Sequence, residues 1–432
     1  MSLKDRLTRL TGEAVKSPQA DAKQEKLTEL RRKIDEVMNR RERLGSVHAP
    51  RATGRSVPLE HVVPGEEVKT PHGSFFFSRS SLNPTDFHGH ARVCDLACPC
   101  MEAAFFLAGS DTIEGLTIED GLFLDTETTG LAGGTGTLPF LIGLGWFEAG
   151  TFVTCQLFAR DFSEERAMLS FLSELAAGKG FLVTFNGRAY DLNLLAARFI
   201  LNRFQDVLAG MPHIDLLHPS RRMLGHRLEN ARLVTIESQV LGVRREGDVP
   251  GYEIPQRYFD WLKRRDGRLL EDVFRHNRLD IVSMAALLRH LTDLVACGGS
   301  RDRAHEGDLL AAARLHHERG GLEEASRMYE ELTHSGMPSV AQCARQSLSL
   351  IHKKAQRWEE AAGLWREMID KDPYDLFAVE ELAKFYEHHA RLFEPSVEIV
   401  QRVLEGAGHL GDEDRRAFGH RLQRLLNKMA KR

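Results

Sequence analysis

The sequence predicts an α/β domain, a mixed sheet flanked by helices, followed by an all-α helical-repeat domain. Two observations carry that expectation. Between residues 119 and 297 strand and helix signals alternate, the pattern of a layered α/β domain. Beyond 303 the pattern is purely helical and it repeats, with Ala325, Ala361 and Pro395 in register at offsets of 36 and 34 residues.

Residues 1–70 are expected to form a charged helix and an irregular region. The stretch KQEKLTELRRKIDEVMNRRERL sets Leu27, Leu30, Ile34 and Met38 on one narrow helical stripe, and Pro50, Pro58 and Pro64 break the chain after it. Residues 71–118 form a lead-in, with GSFFFSRSSL as strand and MEAAFFLAG as an apolar helical pattern. Within 119–297, GLFLD is a strand and FLIGLGWFEAGTFVTCQLFA a hairpin turning at Glu148-Ala149-Gly150. SEERAMLSFLSELAAG is a helix with Ser163 as its N-cap, and FLVTFNG and AYDLNLLAARFIL follow as strand and helix. A Gly-Gly-Ser linker at 298–300 closes this domain. The repeats span 303–428. Their period near 34 residues, the aromatics Tyr329 and Trp365 and the trailing Asp-Pro at 372–373 resemble tetratricopeptide repeats. An unrelated helical bundle is the alternative. Stacked helical pairs present a concave face suited to protein, so a protein partner is expected there.

With 432 residues, 42% hydrophobic and 28% charged, the composition is that of an ordinary soluble globular chain. The opening MSLKDRLTRL lacks the apolar core of a signal peptide, and LPFLIGLGWF is too short and too broken by glycine to span a bilayer. Six cysteines suggest no disulfide framework. A cytoplasmic protein without membrane contact is the expectation. The net charge of −4 gives no global attraction for nucleic acid, so any such binding needs a local basic surface. HPSRRMLGHRLENARL offers one, with Arg221 and Arg222 prominent; a solvated helix face is the plainer alternative.

The chemistry centres on DTETTG at 125–130. Alternate residues of a strand share a face, so Asp125 and Glu127 project together and repel each other unless a cation lies between them. Hard divalent ions, Mg²⁺ or Mn²⁺, take such oxygen ligands. Asp191 follows a strand at the start of a helix, where the helix dipole also favours an acid. Asn186 before it is either a turn residue or a substrate contact. In VFRHNRLDIVSMAALLRHL, an amphipathic helix at 273–291, His276 and Asp280 stand four apart on one face. That spacing lets the acid hold a metal while the imidazole reaches the attacking water, or makes an ordinary surface pair.

Taken together, DTETTG, the N-G-x-x-Y-D ending at Asp191 and His276-x-x-x-Asp280 resemble the DEDD superfamily of 3′–5′ exonucleases, whose fold is ribonuclease-H-like. GTLPFLIGLG, VPGYEIPQRYFDWL and HNRLDIVSMAAL are similar to the YprB-type ribonuclease-H-like family over most of 119–297. That resemblance implies a ribonuclease-H-like exonuclease domain over these residues, with helical repeats after it. It implies that Asp125, Glu127, Asp191 and Asp280 hold two Mg²⁺ or Mn²⁺ ions, with His276 as general base in phosphodiester hydrolysis. One departure stands: His276 has the three-residue spacing to Asp280 of the superfamily's tyrosine branch, not the four of its histidine branch. Asn277 is the alternative residue turned toward the site. Thr128, Asn186, Asn277, Arg221 and Arg222 are the candidate substrate contacts, the substrate being DNA or RNA.

The glycines of LAGGTGT either turn the chain or admit a terminal nucleotide, and match no nucleotide-cofactor loop. His88, His90, Cys94, Cys98 and Cys100 are enough ligands for zinc but lack the C-x-x-C spacing, and incidental cysteines are the expectation. A structure-selective endonuclease, or a non-catalytic adaptor with a vestigial nuclease fold, are the competing functions.

Overall fold

The computed structural model of the protein describes residues 56–110, 115–130, 136–296, 304–406 and 410–431. The expected N-terminal helix, the Gly-Gly-Ser linker and residues 131–135 of the glycine run lie outside the described residues.

A seven-stranded sheet organises the first half. Its strands are β1 (Glu66–Thr70), β2 (Gly73–Leu82), β5 (Gly121–Thr128), β6 (Pro139–Glu148), β7 (Thr151–Phe158), β8 (Phe181–Thr184) and β9 (His213–Asp215). A two-stranded ribbon, β3 (Phe87–His88) with β4 (Ala91–Arg92), stands apart. The spatial order is β1-β2-β7-β6-β5-β8-β9. Strands β1, β2, β7, β6 and β5 pair antiparallel, whereas β5-β8 and β8-β9 are parallel. The mixed sheet is therefore as expected, with one addition. Glu66–Thr70, assigned above to irregular chain, is a strand, because the TPHG turn folds EEVKT back onto β2.

The β6-β7 hairpin turns where the sequence placed it. Ala149 at φ 49° and Gly150 at φ 76° make a two-residue turn whose twist matches that of its strands. The helix after β7 differs in detail. A 3-10 turn, Phe162–Glu164, precedes α2 (Glu165–Ala176), and Asp161 rather than Ser163 provides the cap, accepting from the Ser163 amide at 2.9 Å.

Helices cover both faces of the sheet. On one side α2 and α3 (Asp191–Leu201) bury Leu172, Leu195 and Phe199 against Leu122, Leu124 and Leu182. On the other, α1 (Met101–Ala108) and the 25-residue α6 (Glu271–Val295) pack with Phe123, Phe147 and Phe152. Between β9 and α6 come α4 (Leu217–Leu224) and α5 (Ile254–Arg264). The VPGYEIPQRYFDWL stretch is a packing anchor. Its Tyr258 ring stacks on Phe140 at 4.1 Å, and its hydroxyl donates to the Ala159 carbonyl at 3.0 Å.

The second half is helical throughout its described residues, α7 (Glu306–Glu318), α8 (Leu322–Leu332), α9 (Pro338–Lys354), α10 (Trp358–Lys371), α11 (Leu376–Phe385), α12 (Phe393–Glu405) and α13 (Asp412–Met429). The helices succeed one another in pairs joined by short turns. Ala325 and Ala361, the in-register small residues, are fully buried, as is Trp365, whose indole donates to Ser349 at 2.9 Å. The two halves share a core: Leu287, Leu291 and Leu294 of α6 belong to the same apolar cluster as Leu310 and Ala313 of α7. His316 of α7 reaches the Val295 carbonyl at 2.9 Å and stacks on Phe106 of α1 at 4.6 Å. Among the described residues no helix is long and apolar enough to cross a membrane.

Candidate metal centre

The β5 strand begins fully buried and emerges toward its end. Leu122 and Leu124 face α2 and α3, so Phe123, Asp125 and Glu127 face α6. A register shift between Glu127 and Thr128 ends the regular pairing with β6 just beyond the two acids. The α6 helix crosses the same face and brings His276, Asn277 and Asp280 onto it.

Ligand atoms of Glu127, His276 and Asp280 all lie within 4.8 Å of one another. His276 Nε2 is 3.5 Å from Asp280 Oδ2 and 4.0 Å from Glu127 Oε1. Asp125 stands beside them, its Oδ2 accepting from Asn277 Nδ2 at 2.9 Å. Asp191 arrives from the opposite layer, at the first turn of α3, and accepts from the Thr126 hydroxyl. The structure thus gathers the four predicted acids and His276 in one place.

Their electrostatics are those of crowded, buried carboxylates. Burial, then the charges of Asp280 and Asp191, pushes the Asp125 carboxyl well above its ordinary range, against the Asn277 hydrogen bond. Burial, then Asp125, Asp280 and Asp191, does the same to Glu127. Burial raises Asp191 against the Thr126 bond, and raises Asp280 against the Arg245 charge. Such a set is high in free energy when ionised and has the all-oxygen character that hard divalent ions take. The carboxylates could hold a divalent ion, and His276 Nε2 stands among their oxygens.

Several residues that sequence patterns did not single out hold the site. Arg245, from the loop that leads into α5, is nearly inaccessible and pairs with Asp280, with Glu237 at 2.6 Å and with Asp248 at 3.1 Å. Burial opposes its charge, but Glu237 and Asp280 raise its pKa above the usual guanidinium value. Asp248 contacts His276 Nδ1 at 2.9 and 3.0 Å. Burial would raise the Asp248 carboxyl, yet the His276 bond and charge with Arg245 hold it below its ordinary value. Arg245 Nη1 also approaches Nδ1 at 3.3 Å, but a guanidinium only donates, so the bond that Nδ1 itself can donate goes to Asp248, and Nε2 faces Asp280 and Glu127. Gln156 of β7 donates to Asn277 Oδ1 at 2.9 Å and fixes which way that amide faces. Asp215 of β9 accepts the amides of Asn186 at 2.8 Å and Arg188 at 3.1 Å, anchoring the loop that delivers Asp191.

The other sequence candidates divide. Asn277 does turn toward the site, fully buried as the support of Asp125. Asn186 takes a left-handed turn conformation, φ 68°. The Thr128 hydroxyl donates to the Gly130 carbonyl at 2.7 Å. Arg222 pairs with Glu318 of α7, while Arg221 is an exposed residue of α4. His88 bonds Ser283 at 2.8 Å, and no three of His88, His90, Cys94, Cys98 and Cys100 bring ligand atoms together.

A family model described as the RNase_H superfamily matches residues 122–292, which include every residue of the acid cluster. The chain is 33% identical over 312 residues to the uncharacterized protein YprB of Bacillus subtilis (strain 168), across 71% of this chain and 74% of that one. The chain belongs to the same family as YprB, and its residues 122–292 form a ribonuclease H superfamily domain. Its ribonuclease H domain supplies a nuclease-type fold, and the superfamily match stops where the helical half begins. The likeness to YprB is longer than the superfamily match.

Proposed function

We propose that the protein is a divalent-metal-dependent nuclease that hydrolyses phosphodiester bonds of DNA or RNA. In the finer form it is a 3′–5′ exonuclease of the DEDD type, with Asp125, Glu127, Asp191 and Asp280 holding two Mg²⁺ or Mn²⁺ ions. The observation that carries this is the convergence of Glu127, His276 and Asp280 within 4.8 Å, beside two further buried acids. Bound there, the ions would supply Lewis-acid activation of water and charge neutralisation at the phosphoryl group.

The remaining work falls to the chain. His276, held through Nδ1 by Asp248, has its Nε2 free to accept the proton of the attacking water. Arg245 keeps the Asp280 carboxylate oriented by a charge-assisted bond. Asn277, itself held by Gln156, fixes the Asp125 carboxylate from α6. Arg221, on an exposed face, is a phosphate contact for the approaching strand. The helical half is a tetratricopeptide-like array that engages a protein, and the setting is cytoplasmic.

Incubating the full chain and Asp125→Asn with 3′- and 5′-labelled single strands of DNA and RNA, with Mn²⁺ or EDTA, tests this. Metal-dependent laddering from the 3′ end, abolished by Asp125→Asn, is expected. Internal cutting would instead mark an endonuclease, and no metal-dependent hydrolysis of either polymer would leave an adaptor.

A further inference from the structure

A second cluster of ligating side chains lies where the two halves meet, with no part in the proposed nuclease chemistry. His226 follows α4 in the ribonuclease H half, while His305 and Asp308 open α7. One ligand atom from each lies within 4.8 Å of both others. Both histidines converge on the same carboxylate oxygen: His226 Nε2 is 3.4 Å and His305 Nδ1 4.0 Å from Asp308 Oδ1. A tetrahedral ion with bonds of about 2.0–2.2 Å sets its ligand atoms about 3.3–3.5 Å apart, so a small closure of His305 completes the set.

The surroundings are those of a built site. Asp308 is fully buried, and Arg227 grips it with Nε at 2.9 Å and Nη2 at 2.7 Å. That fork fixes the carboxylate plane and leaves Oδ1 a lone pair on the side of the histidines. Gly307 leaves the space that His226 fills, since a Cβ there would lie 2.3 Å from His226 Nε2. Burial lowers the pKa of His226, against the Asp308 charge. His290 of α6 has a buried Nε2 with no hydrogen-bond partner, and Asp308 and Arg227 are among the charges acting on its ring. The two primary histidines are partly open to solvent, which gives an ion its entry path.

We propose that His226, His305 and Asp308 form a zinc site that clamps the ribonuclease H half to the helical array. Two imidazoles and one carboxylate, with water as the fourth ligand, are the donor set of a borderline ion and differ from the oxygen-rich nuclease cluster. Coordination through His305 Nδ1 exchanges its present bond to the Gly307 amide, 3.1 Å long, for the metal.

The test uses the full chain carrying Asp125→Asn and Glu127→Gln, which cripples the acid cluster as a competing zinc site. Zn²⁺ is titrated against a chromophoric chelator and melting is followed with and without Zn²⁺. One tight equivalent and a rise in melting temperature are expected. His226→Ala and His305→Ala, both partly exposed and able to fold, should each weaken binding at least tenfold and remove most of the rise. Gly307→Ala should do the same by displacing His226. No tight equivalent, or one that survives loss of both histidines, overturns the proposal.

Discussion

Asn277 Nδ2 donates to Asp125 Oδ2 at 2.9 Å, tying the middle of the sheet to the helix that crosses it. The bond depends on an absence. Gly143 lies opposite Asp125 in the β5-β6 register, and a Cβ on it would sit 2.2 Å from Asn277 Oδ1. Gly143→Ala therefore has to push the amide off Asp125. The expected outcome is a loss of about 1–3 kcal/mol in denaturant unfolding. Hydrolysis should fall at least tenfold, whereas Gly336→Ala, in open space, should change neither.

Crowding of the acids makes the metal-free protein sensitive to pH. Asp125 and Glu127 have folded-state pKa values raised above their ordinary 3.8 and 4.5. The folded state then holds protons that the unfolded chain has released, so this contribution to stability is present below those values and lost as pH rises through the folded ones. Asp125→Asn, measured in EDTA, should raise stability near neutral pH by about 1–3 kcal/mol and leave it unchanged near pH 4. Equal shifts at both pH values would rule out like-charge strain as the cause.

Arg245 is the cation that the cluster contains, and Glu237 behind it is fully buried. Removing the guanidinium in Arg245→Met strips the shared partner from three carboxylates, Glu237, Asp248 and Asp280, of which only the last two keep His276 beside them. A destabilisation of about 3–5 kcal/mol is expected by thermal or urea unfolding. Pairing it with Glu237→Gln should restore part of the loss, and strict additivity of the two changes would count against a shared network.

Asp248 acts through His276 rather than on a substrate. Asp248→Asn offers Nδ1 an amide whose preferred orientation no longer fixes the ring's tautomer. On the proposed function, kcat should drop by about 10²–10⁴-fold. KM and metal affinity should hold within a few-fold. A parallel loss of metal binding would show that Asp248 shapes the site as a whole.

Much of this was legible in the residues. The alternation of GLFLDTET placed two acids on one face because the strand period is fixed by geometry, and α6 carried His276 and Asp280 together for the same kind of reason. The Ala149-Gly150 turn was equally local. What escaped was long-range: Arg245 and Asp248 sit in a loop with no period and Glu237 in a short helical segment, and only their meeting at α6 gives them a role. Glu66–Thr70 was missed because its charged residues suit an edge strand as well as open chain, and its partner decides. The Arg222 side chain, expected on a nucleic-acid surface, found Glu318 across a boundary that composition suggested was a linker.

That boundary is where modularity fails. Leu287, Leu291 and Leu294 are buried to within 2% in a core that also holds α7 residues. Stripping the array away would wet such side chains at roughly 1.5–3 kcal/mol each, against a total stability of about 5–15 kcal/mol for an ordinary domain. The helical half is thus less an appendage than a wall of the ribonuclease H domain itself, raised against the same long helix that carries Asn277 and Asp280.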